Sequence, residues 1–124
     1  MPYQNVLLID DDPDDIDLLK VAIACIDNRK KCESAGSRVE AISALHSNQL
    51  PDIIILDLSL PGVIGSELLG VIKNSSSTAR IPVVLYSSHS KEIMKEFAKP
   101  FGADYYICKP NSFQQLVDSL KTIF

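Results

Sequence analysis

The sequence predicts an α/β fold, a doubly wound sheet of five parallel strands with helices on both faces. Three observations carry that expectation. Short continuous apolar runs recur along the chain, the pattern of strands buried on both sides. A segment with helical apolar spacing follows each run, so five strand-then-helix units stand in a row. The chain has 124 residues, 46% of them hydrophobic and 23% charged, and a chain of this size buries roughly two-thirds of its unfolded surface around one core. One domain, 1–124, accommodates all of it.

The first strand is expected at 6–9 (Val-Leu-Leu-Ile). Asp12 then suits an N-cap, Pro13 the first helical position, and the following acids the positive end of the helix dipole. Ile16, Leu19, Ile23 and Ile26 mark that helix's apolar stripe. A weaker strand at 32–35 ends at Gly36. Val39, Ile42 and Leu45 suggest a second helix, polar at Arg38, Glu40 and Ser43. Residues 53–56 (Ile-Ile-Ile-Leu) form the clearest buried strand, and Pro61, Gly62 and Gly65 a loop after it. Leu68, Leu69 and Ile72 indicate a third helix. A fourth strand is read at 82–86. Ile93, Met94, Phe97 and Ala98 share one helix face, its core side, and Pro100 stops that helix. Residues 105–108 make the fifth strand. Phe113, Leu116, Val117, Leu120 and Phe124 give a final amphipathic helix.

Composition narrows the function classes. The apolar content is too high and the charge too balanced for a disordered chain. No apolar run approaches the roughly 20 residues of a helical membrane span. Twelve Lys+Arg against sixteen Asp+Glu give a net charge of −4, which argues against a nucleic-acid face. The N-terminus shows no secretory signal. Cys25, Cys32 and Cys108 form an odd set without CxxC spacing, read as free, mostly buried thiols in a reducing cytoplasm.

In open parallel sheets, ligands sit beyond the carboxyl ends of the strands. Asp10, Asp11 and Asp12 follow the first strand, Asp57 the third, Ser87 and Ser88 the fourth, and Lys109 with Pro110 the fifth. Acids, a hydroxyl and an ammonium thus converge on one area. Three packed carboxylates do not all stay ionised without a cationic partner. Mg²⁺ suits such oxygen ligands and often adds a phosphate oxygen. Lys109 supplies a second positive charge. This is equipment for phosphoryl transfer, which rests on positioning and charge neutralisation, with Asp57 a candidate acceptor through an aspartyl phosphate.

Four segments, VLLIDDDPDD (6–15), PDIIILDLSLPGVIG (51–65), IPVVLYSS (81–88) and YYICKP (105–110), in this order, resemble the response-regulator receiver domain of two-component signalling. The resemblance covers essentially the whole chain. It implies a flavodoxin-like (βα)5 architecture with strand order 2-1-3-4-5. It implies Asp57 as phosphoacceptor, Asp10 and Asp11 as the Mg²⁺-binding pair, and the Ser59 carbonyl as a further metal ligand. Ser87 matches the switch hydroxyl, Lys109 the lysine that meets the phosphoryl group, and Tyr106 the aromatic that moves between outward and inward positions. Five Asp in six residues also allow a pair shifted by one; Asp10 and Asp11 are preferred because they directly follow Ile9. Ser88 stands where the family usually has Ala or Gly. Ser59 and His89 fall at the variable positions that tune phosphate lifetime, and His89 is otherwise read as a solvated loop residue. Asp12, Asp14 and Asp15 are read as helix-start residues.

The implied function is a phosphorylation-controlled switch, not an enzyme beyond self-phosphorylation from small donors and autodephosphorylation. A histidine kinase or histidine phosphotransfer protein would donate to Asp57 with Mg²⁺. The face of the fourth helix, fifth strand and fifth helix would then dock a downstream protein, with no direct nucleic-acid or membrane contact. A homodimer through that face is compatible with the sequence. The chain stops after its fifth helix, which reads as either a stand-alone receiver or an excised domain, the stand-alone form being preferred. Three alternatives fit the sequence less well. A Mg²⁺-dependent small-molecule phosphatase or phosphotransferase would also use an aspartyl phosphate, but no insertion is present to enclose a substrate. A flavodoxin-like cofactor module would want a phosphate-binding loop where this chain has acids. A receiver-shaped module that is never phosphorylated would not need the full acid, hydroxyl and lysine set.

Overall fold

The computed structural model describes residues 3–58, 64–100 and 102–124, except the side chains of 64–66, 97 and 98. Ten elements alternate: β1 (Asn5–Ile9), α1 (Pro13–Ile26), β2 (Lys31–Ala35), α2 (Arg38–Leu45), β3 (Ile53–Asp57), α3 (Ile64–Asn74), β4 (Val83–Ser87), α4 (Lys91–Ala98), β5 (Tyr105–Cys108) and α5 (Phe113–Lys121). The strands form one sheet in the order β2-β1-β3-β4-β5, and every pairing is parallel. The expected topology therefore stands.

Strand alternation divides the core into two layers. Val6, Leu8, Ile53, Ile55, Val84 and Tyr86 face one side, with Leu19 and Ile23 of α1 and Leu116, Val117 and Leu120 of α5. Leu7, Ile9, Ile54, Leu56, Val83 and Leu85 face the other, with Ala41 and Leu45 of α2, Leu68, Leu69 and Ile72 of α3, and Met94 of α4. β3 and β4 are buried at every position, which is why each reads as an apolar run up to its last residue, the buried polar Asp57 and Ser87. β2 lies at the sheet edge with a mostly exposed pattern, which explains its polar sequence, Lys-Cys-Glu-Ser-Ala.

Helix starts follow local chemistry. Asp12 caps α1, accepting from the Asp14 amide at 3.0 Å, and Pro13 occupies the first turn. Ser37, Ser90 and Ser112 cap α2, α4 and α5 by accepting from the amide three residues on.

Some expectations need correction. Val39 is 78% exposed; α2 buries Leu45 as expected, with Ala41 rather than Val39 beside it, and packs Ile42 and Ala44 against the same core. Ile93 and Phe113 are also exposed. Phe113 opens α5, ahead of the turns that reach the sheet. The cysteines are free, but Cys25 and Cys108 are exposed and Cys32 is half-buried. Cys25 lies on the outer face of α1, and Cys108 ends β5, the other edge strand. Phe97 and Ala98, placed on the core face from their spacing, lie outside the described side chains.

Candidate functional site

The site forms where β1, β3, β4 and β5 end. Asp57 and Ser87 are the last residues of β3 and β4 rather than the first of the loops, and both are buried. Along β3, Asp57 shares the parity of Ile53 and Ile55, the α1/α5 side of the sheet. Asp10 directly follows β1 and is 1% exposed, whereas Asp11 is exposed. Asp10, Asp11 and Asp57 each offer an oxygen, and these lie within 4.8 Å of one another. Within the acidic run, the carboxylates at 10 and 11 lie beside Asp57, while Asp12 turns to cap α1.

Lys109 approaches from the end of β5. Its Nζ donates to Asp57 Oδ2 at 3.4 Å and to Asp15 Oδ2 at 2.7 Å, and stands 5.3 Å from the centre of the Tyr86 ring. Its backbone amide donates to the Ser87 carbonyl at 2.7 Å. Ser87 Oγ accepts from the His89 amide at 3.2 Å. His89 and Ser88 are exposed. Tyr106 is half-buried against the α2–α4 side of the core and borders a groove that also meets Lys91, Lys95 and Cys108. Ser59 and the loop glycine Gly62 lie outside the described residues.

The electrostatics follow from burying acids together. Asp10 Oδ1 accepts the Asp12 amide at 2.9 Å, but its buried Oδ2 has no hydrogen-bond partner. Burial pushes the Asp10 carboxyl up to about 7, reinforced by the charges of Asp57 and Asp15 and opposed by the Asp12 amide. Burial alone would lower the Lys109 ammonium, yet the hydrogen bond to Asp15 and the charges of Asp57, Asp15 and Asp10 raise it above its usual value. Burial, then Asp15, pushes the Tyr86 phenol up to about 12, so it stays neutral. The residues present fit a hard divalent cation: an orphaned buried carboxylate oxygen and three converging acids are an all-oxygen donor set.

Two site residues were not singled out for this site from the sequence. Asp15, read as a helix-start acid, does lie in the first turn of α1 but also pairs with Lys109. Tyr86 floors the lysine. Alternation along β4 assigns Tyr86 to the α1/α5 side, but nothing local in the sequence brings Asp15 to residue 109.

Residues 6–121 match the family described as the response regulator receiver domain. The chain belongs to that family. Receiver domains are the phosphoacceptor signalling domains of two-component systems, so the coarse function is a signalling switch; the small-molecule phosphatase reading is not favoured. The phosphate regulon transcriptional regulatory protein PhoB of Pseudomonas aeruginosa is 32% identical over 99% of this chain and 52% of its own length. The chain thus spans about half the length of that relative, and smaller shares of BaeR and another PhoB. Protein PilH of the same organism is 25% identical over 96% of both chains. Among solved structures, the phosphorylated cyanobacterial phytochrome response regulator RcpA superposes with a TM-score of 0.85 at 29% identity, over 98% of this chain and 91% of its own. Among the described residues, no helix of this receiver is long and apolar enough to cross a membrane.

Proposed function

We propose that this receiver is phosphorylated on the Asp57 carboxylate by a phosphohistidine of a histidine kinase or phosphotransfer protein. One observation carries the reading: Asp57 is buried at the sheet end, between the acids at 10 and 11 and the amine of Lys109. A carboxylate oxygen of Asp57 attacks phosphorus, the P–N bond breaks, and the histidine leaves with its electron pair and takes up a proton. Hydrolysis by water breaks the acyl phosphate and returns the carboxylate and inorganic phosphate. These are the receiver's own chemistry, self-phosphorylation from small donors included, and it is not otherwise an enzyme.

Asp10, Asp11 and Asp57, with the Ser59 carbonyl, would hold Mg²⁺. When bound, the ion supplies charge neutralisation to the phosphoryl oxygens. Lys109 meets one of those oxygens. The Ser87 hydroxyl turns toward another, drawing the end of β4 inward. Tyr106 follows, and the α4–β5–α5 face changes shape for a downstream protein or a second copy. A local charge biasing a two-state element is the physics required. The receiver unit is 1–124, and its place is the cytoplasm, where such donors and free thiols coexist.

Purified protein treated with acetyl phosphate or phosphoramidate and Mg²⁺ should gain one phosphoryl group, labile to hydroxylamine, detected by intact mass. Asp57→Ala should abolish it. An adduct that persists in Asp57→Ala, or none in the wild type, would overturn the proposal.

A further inference from the structure

The strongest contact of the site lysine is not with the proposed acceptor. Lys109 Nζ is 2.7 Å from Asp15 Oδ2 and 3.4 Å from Asp57 Oδ2. Asp15 lies in the first turn of α1, on a different element from every other acid of the site. The side chains of Asp15 and Lys109 are 24% and 22% exposed, so water screens this pair less than a surface pair. Asp15 also raises both Asp10 and Tyr86, which places its charge within the site's field rather than out on the helix. An ammonium has three protons to donate. Asp15 and Asp57 already accept from it, and the Tyr86 ring lies against its side.

We propose that Asp15 is a positioning residue that holds the Lys109 ammonium back in the unphosphorylated receiver, so that a phosphoryl group on Asp57 must win the lysine from it. This rests on the reading of Asp57 as phosphoacceptor. Asp15 does not touch the reacting atoms. It acts through Lys109 and sets the gap between the two states: a stronger hold disfavours the phosphorylated form, a weaker one favours it. The nearby Asp14 has the same charge in the same helical turn but is exposed, which makes it the natural control.

The test is binding of beryllofluoride with Mg²⁺, followed by fluorine NMR on full chains whose fold is checked by circular dichroism. Asp15→Asn should bind about fivefold more tightly than wild type, the upper range for one partly exposed charged pair. Asp15→Glu, which restores the acid, should return toward wild type, and Asp14→Asn should not change. Asp15→Ser replaces Asp15→Asn if the amide disturbs the helix start. Unchanged or weaker binding in the neutral variants, or an equal gain in Asp14→Asn, overturns the role of Asp15 while leaving the phosphoacceptor reading intact. A wild type that binds no beryllofluoride overturns that reading, and this inference with it.

Discussion

The two ends of the sheet treat charge in opposite ways. At the amino end, charged side chains find dedicated partners. Asp52, just before β3, accepts the Gln4 and Asn5 amides at 2.9 Å each. Asp104, just before β5, accepts the Val83 amide at 2.9 Å and the Lys73 amine at 3.0 Å. Lys73 donates further to the Ala79 and Ile81 carbonyls. At the carboxyl end, Asp10, Asp11 and Asp57 crowd together, and one buried oxygen of Asp10 is left with no hydrogen-bond partner. The amino end ties strands together. The carboxyl end sets acids against one another, with Lys109 bridging Asp57 and Asp15.

The difference predicts stability effects of opposite sign. The largest is at Asp10. Asp10→Asn removes a buried charge, and should stabilise the metal-free protein at pH 8 by on the order of 2–4 kcal/mol; if Mg²⁺ binds as proposed, the variant should also gain no stability when Mg²⁺ is added. Because the folded-state carboxyl is raised to about 7, the folded protein binds more protons than the unfolded chain between about pH 4 and 7. Wild-type stability from this group is full below that window and is lost as pH rises through it. Urea unfolding in a chelator from pH 5 to 8 should show the decline in wild type and a flatter profile in Asp10→Asn. A destabilised Asp10→Asn at pH 8 would contradict the contrast.

The next effect is at the other end. Asp104→Ala should cost about 1–2 kcal/mol, from the stranded Val83 amide and the weakened Lys73 clamp, with Mg²⁺ affinity intact in a titration. Equal losses of stability and metal binding would mean the two ends are not separable. The smallest effect is at Asp12. Ser caps a helix about as well as Asp, so Asp12→Ser should leave the unfolding free energy within about 0.5 kcal/mol of wild type.

What could be read from the sequence follows the same division. β1, β3 and β4 were legible because burial on both faces makes their central residues apolar. Asp10, Asp57 and Lys109 were legible because strand ends are where such sheets present polar groups. β2 was faint, since an edge strand tolerates Lys31 and Glu33 facing water. Val39 misled because one apolar residue on a short helix does not reveal which way the helix is turned. Asp15 was hidden for a stronger reason: its partner is 94 residues away, and it is the tertiary fold that brings the start of α1 beside the end of β5.

The backbone bond from the Lys109 amide to the Ser87 carbonyl has a mechanical consequence. It is the last rung of the ladder between β4 and β5, and it couples the hydroxyl-bearing residue to the lysine through main chain rather than through side chains. A displacement of one strand tip is therefore passed to its neighbour along the backbone itself, so the positions of residues 87 and 109 are not independent of each other.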